Sequence, residues 1–179
     1  MTTPGTFPTL GHIHTGGKAM RWEEFEQAAP EMAAPGRKLL AENGGVAFLA
    51  TVRKDGSPQL HPVMPYLAGG VLYVFIVEFS SKFGDLERDG RYALHTIPCG
   101  AKNEEFLVRG RARRVTDPAL RAAAVAACGF PKQDWEALFA FDIEKSLTTE
   151  RAGWGSDHPT PTFRRWRAGG PVEVMGAAG

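Results

Sequence analysis

The sequence predicts a mainly β protein, an antiparallel β-barrel with flanking helices. About six or seven strand-like runs of apolar and β-branched residues follow one another, with few long helical stretches between them. Turn signals separate the runs at hairpin spacing, as at Lys54-Asp55-Gly56 and at Gly69-Gly70. Successive strands joined by short turns favour an antiparallel barrel over a parallel sheet, whose strands need long crossover connections.

Length and composition indicate one domain with its own core. The chain has 179 residues, of which 43% are hydrophobic and 23% charged, and its formal net charge is +1. These values are ordinary for a globular protein, and the small net charge favours neither nucleic acid nor an anionic membrane. We expect residues 21–168 to form the domain, residues 1–20 a flexible N-terminal arm and residues 169–179 a frayed C-terminal tail.

Cysteine use and hydropathy predict a cytoplasmic protein. Cys99 and Cys128 belong to no CxxC motif, which excludes a disulfide scaffold and gives no zinc-site spacing. No apolar run approaches the roughly 20 residues that a membrane-spanning helix needs. The N-terminus lacks the charged-then-apolar pattern of a signal peptide. His12 and His14 have no third ligand nearby, so we predict no metal site.

The first half of the expected domain begins with helices and continues with strands. Residues 21–27 and 35–42 have helical character. Their apolar positions, which we expect in the core, are Trp22, Phe25, Leu39 and Leu40. A strand over residues 46–53 leads through the Asp-Gly hairpin turn to a return strand over residues 59–66.

Two of these strands have distinctive compositions. The return strand contains Pro62 and Pro65, and proline cannot donate to a ladder, so this strand should be an edge strand or be bulged. Residues 71–77 are almost entirely apolar and aromatic, which predicts a central strand buried on both faces.

The second half alternates helices and strands. Ser80 or Ser81 begins a helix over residues 80–89, which Gly90 ends, and Asp117-Pro118 begins another over residues 119–128. A third, short helix is predicted over residues 133–138. The predicted strands of this half are residues 91–97, 104–115, 139–147, 148–153 and 162–167.

The junction Ser80-Ser81-Lys82 is the strongest candidate for binding chemistry. A helix N-terminus offers free N–H groups and the positive end of its dipole, serines add hydroxyl donors, and lysine adds a positive charge. Together these groups suit a phosphate. The alternative is a common helix cap beside a solvated lysine. The position of the junction directly after a buried strand favours the phosphate site.

Three further groups of residues can each be interpreted either as part of a binding site or as purely structural. Prolines in the strand from His61 to Tyr66 leave backbone groups free for a planar polar ring, or the strand is simply an irregular edge. Period two places Arg109, Arg111 and Arg113 on one face, toward a polyanion, a partner subunit or water. Tryptophans near C-terminal arginines suit a flat anionic ligand, an interface or the core; these residues are Trp154, Arg164, Arg165 and Trp166.

Five segments in a fixed order resemble the pyridoxamine 5′-phosphate oxidase-like family, the flavin-binding split barrels. They are AFLATVRKDGSP, HPVMPY, LYVFIVEFSSK, DLERDGRYALHTI and EEFLVRGRARRV, and a looser similarity runs from FAFDIEKSL to TFRRWRAG. The resemblance implies a six-stranded antiparallel split barrel of Greek-key topology. It also implies a homodimer with two flavin mononucleotide (FMN) sites at the subunit interface, each built from both chains.

The resemblance places the flavin phosphate and the flavin ring on neighbouring segments. The phosphate would be held by Ser80, Ser81 and Lys82. The isoalloxazine ring would run along the strand residues His61, Pro62, Val63 and Met64.

Other residues are implied in the same site. Ile76 and Val77, at the end of the buried strand, would approach the cofactor. Glu105 takes the position where the family often has a glutamine near the flavin. Trp154 and Trp166 fall in the C-terminal region that would close the site from the partner chain.

The sequence departs from the family's namesake enzymes at several positions. Those enzymes usually carry arginine where His61 stands, lysine where Tyr66 stands and arginine-lysine where Ser81-Lys82 stands. Their C-terminal arginine-leucine motif is replaced by TFRRWRAG. We therefore do not expect oxidation of vitamin B6.

The function expected from the sequence is that of a dimeric, FMN-binding oxidoreductase acting on a small molecule. Its chemistry would be hydride transfer through the flavin, and no side-chain acid or base is assigned. One alternative is a reductase of the same fold that uses the deazaflavin F420. The other is a non-catalytic flavin- or haem-binding protein, in which His61 or His95 would be the axial ligand. No GxGxxG, P-loop, HExxH or GxSxG motif indicates another activity.

Overall fold

The computed structural model describes residues 19–176, which form an antiparallel sheet of nine strands with four helices. The helices are α1 (Trp22–Ala28), α2 (Pro30–Ala41), α3 (Ser81–Arg88) and α4 (Pro118–Cys128). The strands are β1 (Ala47–Val52), β2 (Pro58–Val63), β3 (Tyr66–Ala68), β4 (Val71–Val77), β5 (Arg91–Thr96), β6 (Glu105–Arg114), β7 (Glu136–Ala152), β8 (Thr160–Arg167) and β9 (Glu173–Gly176). All but the last two residues of the predicted N-terminal arm lie outside the described range, as do His12 and His14.

The sheet confirms the predicted antiparallel, mainly β fold of split-barrel type. Six strands are hydrogen-bonded in the order β2-β1-β5-β6-β7-β4, and β3 follows β4 at the end of this path. β8 branches from β7 and pairs with β9. Within the described part of the chain β2 and β3 do not pair with each other, so the sheet stays open.

The predicted return strand over residues 59–66 is in fact two strands. β2 pairs with β1 over the whole of Pro58–Val63, whereas β3 pairs with β4. Met64 and Pro65 connect them, because proline has no amide hydrogen with which to continue the ladder. The prediction of an edge position is confirmed, since β2 ends the path of strands and pairs only with β1.

Two predictions for the second half are wrong. Residues 133–138 form no helix, because β7 begins at Glu136 and pairs with the buried strand β4. The segments expected as separate strands over residues 139–147 and 148–153 are one 17-residue strand. An irregularity in the β6–β7 register, between Arg109 and Gly110, bends this long strand. A Cβ atom at Gly110 would lie 1.9 Å from the carbonyl oxygen of Asp142, so only glycine fits there.

The segment predicted as a frayed tail adds a strand to the sheet. Residues Glu173–Gly176 form β9, which pairs with β8 from Thr162 to Arg165. The many glycines and alanines of residues 169–179 led to the prediction of a tail. The correction matters because β9 brings Glu173 next to Arg165.

The core lies between the inner face of the sheet and the N-terminal helices. The apolar helix residues Trp22, Phe25, Leu39 and Leu40 are buried, as predicted. The ring of Phe25 lies 4.9 Å from that of Trp166 and 5.5 Å from that of Trp22. No helix within residues 19–176 has the length and apolar character needed to cross a membrane.

Candidate functional site

The N-terminus of α3 keeps its hydrogen-bond donors available. Ser80 occupies the N-cap position, but its side chain makes no capping bond. The Ser80 hydroxyl instead donates to the carbonyl oxygen of Val77 at 2.6 Å. The first amides of a helix have no i−4 partner, and here the Phe83 N–H already donates to the carbonyl oxygen of Ser80 at 3.1 Å, so the N–H groups of Ser81 and Lys82 are the ones that remain for a ligand. The expected serine cap is thus replaced by an open helix end.

The inner face of β2 presents two unsatisfied polar atoms. Gln59 and His61 are half-buried and alternate with the exposed residues Leu60 and Pro62, so both lie on the inner face. His61 Nε2 and Gln59 Oε1 are buried and have no hydrogen-bond partner within residues 19–176. An unpaired buried polar group is costly. Two such atoms lie on neighbouring inward positions of β2, where they are available to a ligand or to water.

A buried carboxylate on α3 connects this helix to β1. Asp85 of α3 is 7% exposed, and its Oδ2 accepts a hydrogen bond of 2.8 Å from the Thr51 hydroxyl. Arg88 lies 3.3 Å from its other oxygen. These contacts fix α3 against β1, so the helix end and the inner face of β2 keep a defined relation.

The charge of His61 is set by its surroundings. Burial, and secondly the positive charge of Lys82, lower the pKa of His61 from its ordinary value of 6.5, while Asp85 opposes them. The imidazole is therefore neutral at pH 7, and either ring nitrogen can carry the proton.

Positive charge without a partner collects at the same place. Most arginines and lysines within residues 19–176 lie in ion pairs, but Arg53, Lys54 and Lys82 do not. Arg53 and Lys54 line a depression of about 510 Å³ that also contacts Ser81, together with Arg88 and the carboxylates of Asp55 and Asp85. Free donors, two unsatisfied atoms and cations without ion pairs together make the α3 N-terminus a candidate anion site.

Glu105 belongs to a second polar group. Its carboxylate lies 3.3 Å from His95 Nε2 and 2.5 Å from Arg151 Nη2. The guanidinium of Arg151 also lies 5.7 Å from the ring centre of Trp154, which is 52% exposed. Arg151 therefore links two predicted site residues, Glu105 and Trp154. No motif in the sequence singles out Arg151.

The two groups do not meet within one chain. β6 is three strands from β2 along the sheet, which corresponds to about 14 Å. Glu105 also alternates with the buried Phe106 and lies on the outer face, whereas His61 lies on the inner face. A single site that used both would need a second copy of the chain.

Three predicted site residues have side chains in the core. Ile76 is fully buried, Val63 is 8% exposed and Trp166 is 3% exposed. Trp166 packs against Phe25, so most of its ring is covered by the core. The expectation that both tryptophans face a ligand is corrected for Trp166, whose position on β8 alternates with exposed arginines.

The strand end beyond His61 borders an apolar cavity. Met64 is 52% exposed, and it lines a cavity of about 590 Å³ together with Tyr66, Phe75 and Phe130. The Tyr66 ring stacks on Phe75 at 6.0 Å, and its hydroxyl donates to the carbonyl oxygen of Ala124 at 3.2 Å. Burial raises the pKa of Tyr66. The residue is therefore a neutral wall of the cavity and supplies no charge for an anion.

The arginines predicted on one face of β6 differ in their contacts. Arg113 donates to Asp142 at 3.0 Å, and Arg111 lies 4.0 Å from Glu144. Arg109 has no ion pair within the described residues. The three arginines therefore do not act as one cationic surface.

Replacing His61 with glutamine should change how stability depends on pH. The unfolded state binds a proton near pH 6.5, but the folded state binds it only at lower pH, so falling pH favours unfolding. We expect the unfolding free energy of the wild type, minus that of His61→Gln, to fall as pH drops from 8 through 6.5 to 5. Urea titrations at these pH values measure the difference. A difference that grows at low pH would mean that the attraction of Asp85 outweighs burial and Lys82 and raises the pKa of His61.

Comparison with known proteins identifies relatives of this fold. The family described as Pyridoxamine 5'-phosphate oxidase matches residues 37–145. No curated protein matches the sequence. A pyridoxamine 5'-phosphate oxidase-related, FMN binding protein from Nostoc punctiforme is 12% identical, with a TM-score of 0.57, and the match covers 87% of this chain and 95% of that one.

Two further solved structures are similar at low identity. PhzG from Burkholderia lata, in complex with tetrahydrophenazine-1-carboxylic acid, is 13% identical with a TM-score of 0.56, over 88% of this chain and 93% of that one. A heme binding protein from Mycobacterium smegmatis is 17% identical with a TM-score of 0.49, over 73% of this chain. The present chain spans about half, 52%, of that protein's length. The likenesses to PhzG and to the Nostoc punctiforme protein show the fold.

Proposed function

Since the chain belongs to the pyridoxamine 5′-phosphate oxidase family, we propose that it binds FMN and acts as an oxidoreductase on a small molecule. The observation that carries this proposal is the open N-terminus of α3, whose Ser81 lines one depression with Gln59 and whose Lys82 lowers the pKa of His61. Gln59 Oε1 and His61 Nε2 have no hydrogen-bond partner within residues 19–176. A similar fold in a protein described as FMN binding supports it. When bound, FMN supplies the hydride transfer.

The residues at the α3 N-terminus fit a flavin phosphate. The Ser81 and Lys82 amides and the Ser81 hydroxyl donate hydrogen bonds, and Lys82, which has no carboxylate partner in the described chain, supplies the charge. His61 Nε2 lacks a partner, and as the protonated nitrogen it donates to the same phosphate. The Ser80 hydroxyl stays on Val77 and holds the turn that aims these donors.

The edge position of β2 suits the flavin ring. Pro62 and Met64 are exposed, and the backbone groups of β2 that face away from β1 pair with no other strand. The backbone of Val63 and the side chains of Pro62 and Met64 then orient the ring, while the buried side chains of Val63 and Ile76 hold the strands in place. We leave Trp166 out of the proposed site.

We propose that the active form is a homodimer with the cofactor between the subunits. Large apolar side chains on β1 and β2 are exposed, namely Phe48 at 37% and Leu60 at 63%. Their burial against a second copy would stabilise the dimer at about 25 cal/mol per Å² of apolar area. A second copy also supplies Glu105 and Trp154, which the first chain cannot bring to its own His61.

A phosphorylated vitamin B6 substrate fits the cavity poorly. Tyr66 is neutral, and the two cations of the cavity rim are paired, Arg37 with Glu26 at 2.8 Å and Lys132 with Glu136 at 3.6 Å. Within residues 19–176, no unpaired cation lines this cavity to bind a second phosphate.

F420 is the second candidate cofactor. Its anionic tail extends beyond one phosphate, and the depression of about 510 Å³ that contains Arg53 and Lys54 continues the anion site past Ser81. A reductase of this kind would use the same inner face of β2.

The absorption spectrum of the purified protein, with mass identification of the released ligand, tests the proposed function. A bound flavin, or a flavin spectrum after reconstitution with FMN, supports the proposal. Binding of added F420 but not FMN supports the second candidate. A Soret band would indicate haem, and binding of none of the three would contradict a cofactor-dependent function.

A further inference from the structure

A group of cations on β6, β7 and β8 lies outside the proposed cofactor site. These four residues form the basic patch: Arg109, Lys145, Arg165 and Arg167. They line a depression of about 540 Å³, to which Leu147 and Pro171 add apolar walls and Glu173 adds one carboxylate. β7 is four strands from β2, about 19 Å along the sheet, so the patch is separate from His61 and its neighbours.

The sheet register forces these charges together. Arg109 is directly opposite Lys145 across the β6–β7 ladder, and Lys145 is directly opposite Arg167 across the β7–β8 ladder. Directly opposed residues of antiparallel strands point to the same face. Arg165 lies two residues before Arg167 and shares that face. Like charges in such a row repel one another and destabilise the sheet.

No ion pair in the described chain neutralises these four cations, and Glu173 is the one carboxylate among the residues that line the depression. None of the four side chains forms an ion pair or a side-chain hydrogen bond within residues 19–176. Neighbouring arginines on the same strands are paired, Arg113 with Asp142 at 3.0 Å and Arg164 with Glu150 at 3.3 Å. Glu173 is opposite Arg165 in the β8–β9 register but makes no ion pair with it. The cations of the patch therefore lack the carboxylate partners that neighbouring arginines of the sheet have.

We propose that the basic patch is a binding site for a compact oligoanion, a small molecule with at least two phosphate or carboxylate groups. Three guanidinium groups on one face offer paired N–H donors that match the oxygens of either anion. The volume of the depression lies within the range of small-molecule sites and exceeds the size of a single phosphate. This site does not depend on the proposed flavin function.

Calorimetric titration of the purified full-length protein with inorganic pyrophosphate, and separately with citrate, tests the site. The wild type should bind at least one of the two. The double variant Arg165→Gln/Arg167→Gln should lose at least about tenfold in affinity, because two charge-assisted contacts are removed. Tighter binding of pyrophosphate identifies a phosphate ligand, and tighter binding of citrate identifies a carboxylate ligand.

Two double variants serve as controls. Arg37→Gln/Lys38→Gln removes the same charge from α2, where both side chains already have carboxylate partners, and should leave the affinity unchanged. Ser81→Ala/Lys82→Ala changes the proposed phosphate site and should leave the patch affinity unchanged. The melting temperature of Arg165→Gln/Arg167→Gln should not fall, because the substitution relieves repulsion.

Three results would overturn the proposal. One is the absence of binding of both pyrophosphate and citrate to the wild type. Another is an equal loss of affinity in Arg37→Gln/Lys38→Gln, which would show a response to net charge alone. The third is complete loss in Ser81→Ala/Lys82→Ala with retention in Arg165→Gln/Arg167→Gln, which would place the anion at α3.

Discussion

Replacing Lys82 with alanine should weaken FMN binding by about 10- to 100-fold. The lysine has no carboxylate partner within the described chain, so its loss removes a charge-assisted contact to the phosphate of about 1.5–3 kcal/mol and breaks no ion pair. Quenching of flavin fluorescence on titration with protein measures the dissociation constant.

Lys38→Ala is the matched control for this substitution. Lys38 is an exposed lysine on α2, 3.8 Å from Glu104, and its loss should leave FMN affinity unchanged. Equal affinities of the wild type and Lys82→Ala would remove Lys82 from the phosphate site. An equal loss in both variants would show that net charge alone governs binding.

The two tryptophans predicted in one site should respond in opposite ways to replacement by alanine. Trp166→Ala should lower the free energy of unfolding by about 3–5 kcal/mol, because the side chain is 3% exposed and packs against Phe25. Trp154→Ala should change stability by less than about 0.5 kcal/mol, since Trp154 is 52% exposed. Urea denaturation monitored by circular dichroism measures both.

The effects on FMN affinity should be the reverse of the effects on stability. Trp154→Ala should bind FMN more weakly, because Trp154 would cover the cofactor from the partner chain. Folded Trp166→Ala should keep its affinity, because the ring does not reach the site. A stable Trp166→Ala with weakened FMN binding would restore Trp166 to the site and contradict its assignment to the core.

The sequence predicted the strands whose signals are local. β4 was assigned correctly because its seven consecutive residues are mostly β-branched or aromatic and lie between turn residues, which favours a buried strand over a helix. β7 was not assigned correctly, because the residue patterns of its two halves differ. The halves form one strand through pairing with β4, β6 and β8, which is a long-range property. β9 was missed for the same reason, since its pairing with β8 is a long-range property.

The sequence indicated which segments form the candidate site but not their local geometry. The order of segments indicated the α3 junction and β2, and the structure brings His61 and Lys82 close enough for the lysine to lower the pKa of the histidine. That the Ser80 hydroxyl binds Val77 and leaves the helix end open depends on local geometry. The contact of Arg151 with Glu105 depends on the β6–β7 register, which the sequence does not specify.

Comparison of FMN with riboflavin tests the phosphate site at α3 most directly. The two flavins share the ring and differ in the phosphate, so the ratio of their dissociation constants isolates the contribution of the α3 site. We predict that the wild type binds FMN at least about 100-fold more tightly, and that Ser81→Ala/Lys82→Ala removes most of this difference. Equal affinities of the wild type for FMN and riboflavin would contradict a phosphate site at the N-terminus of α3.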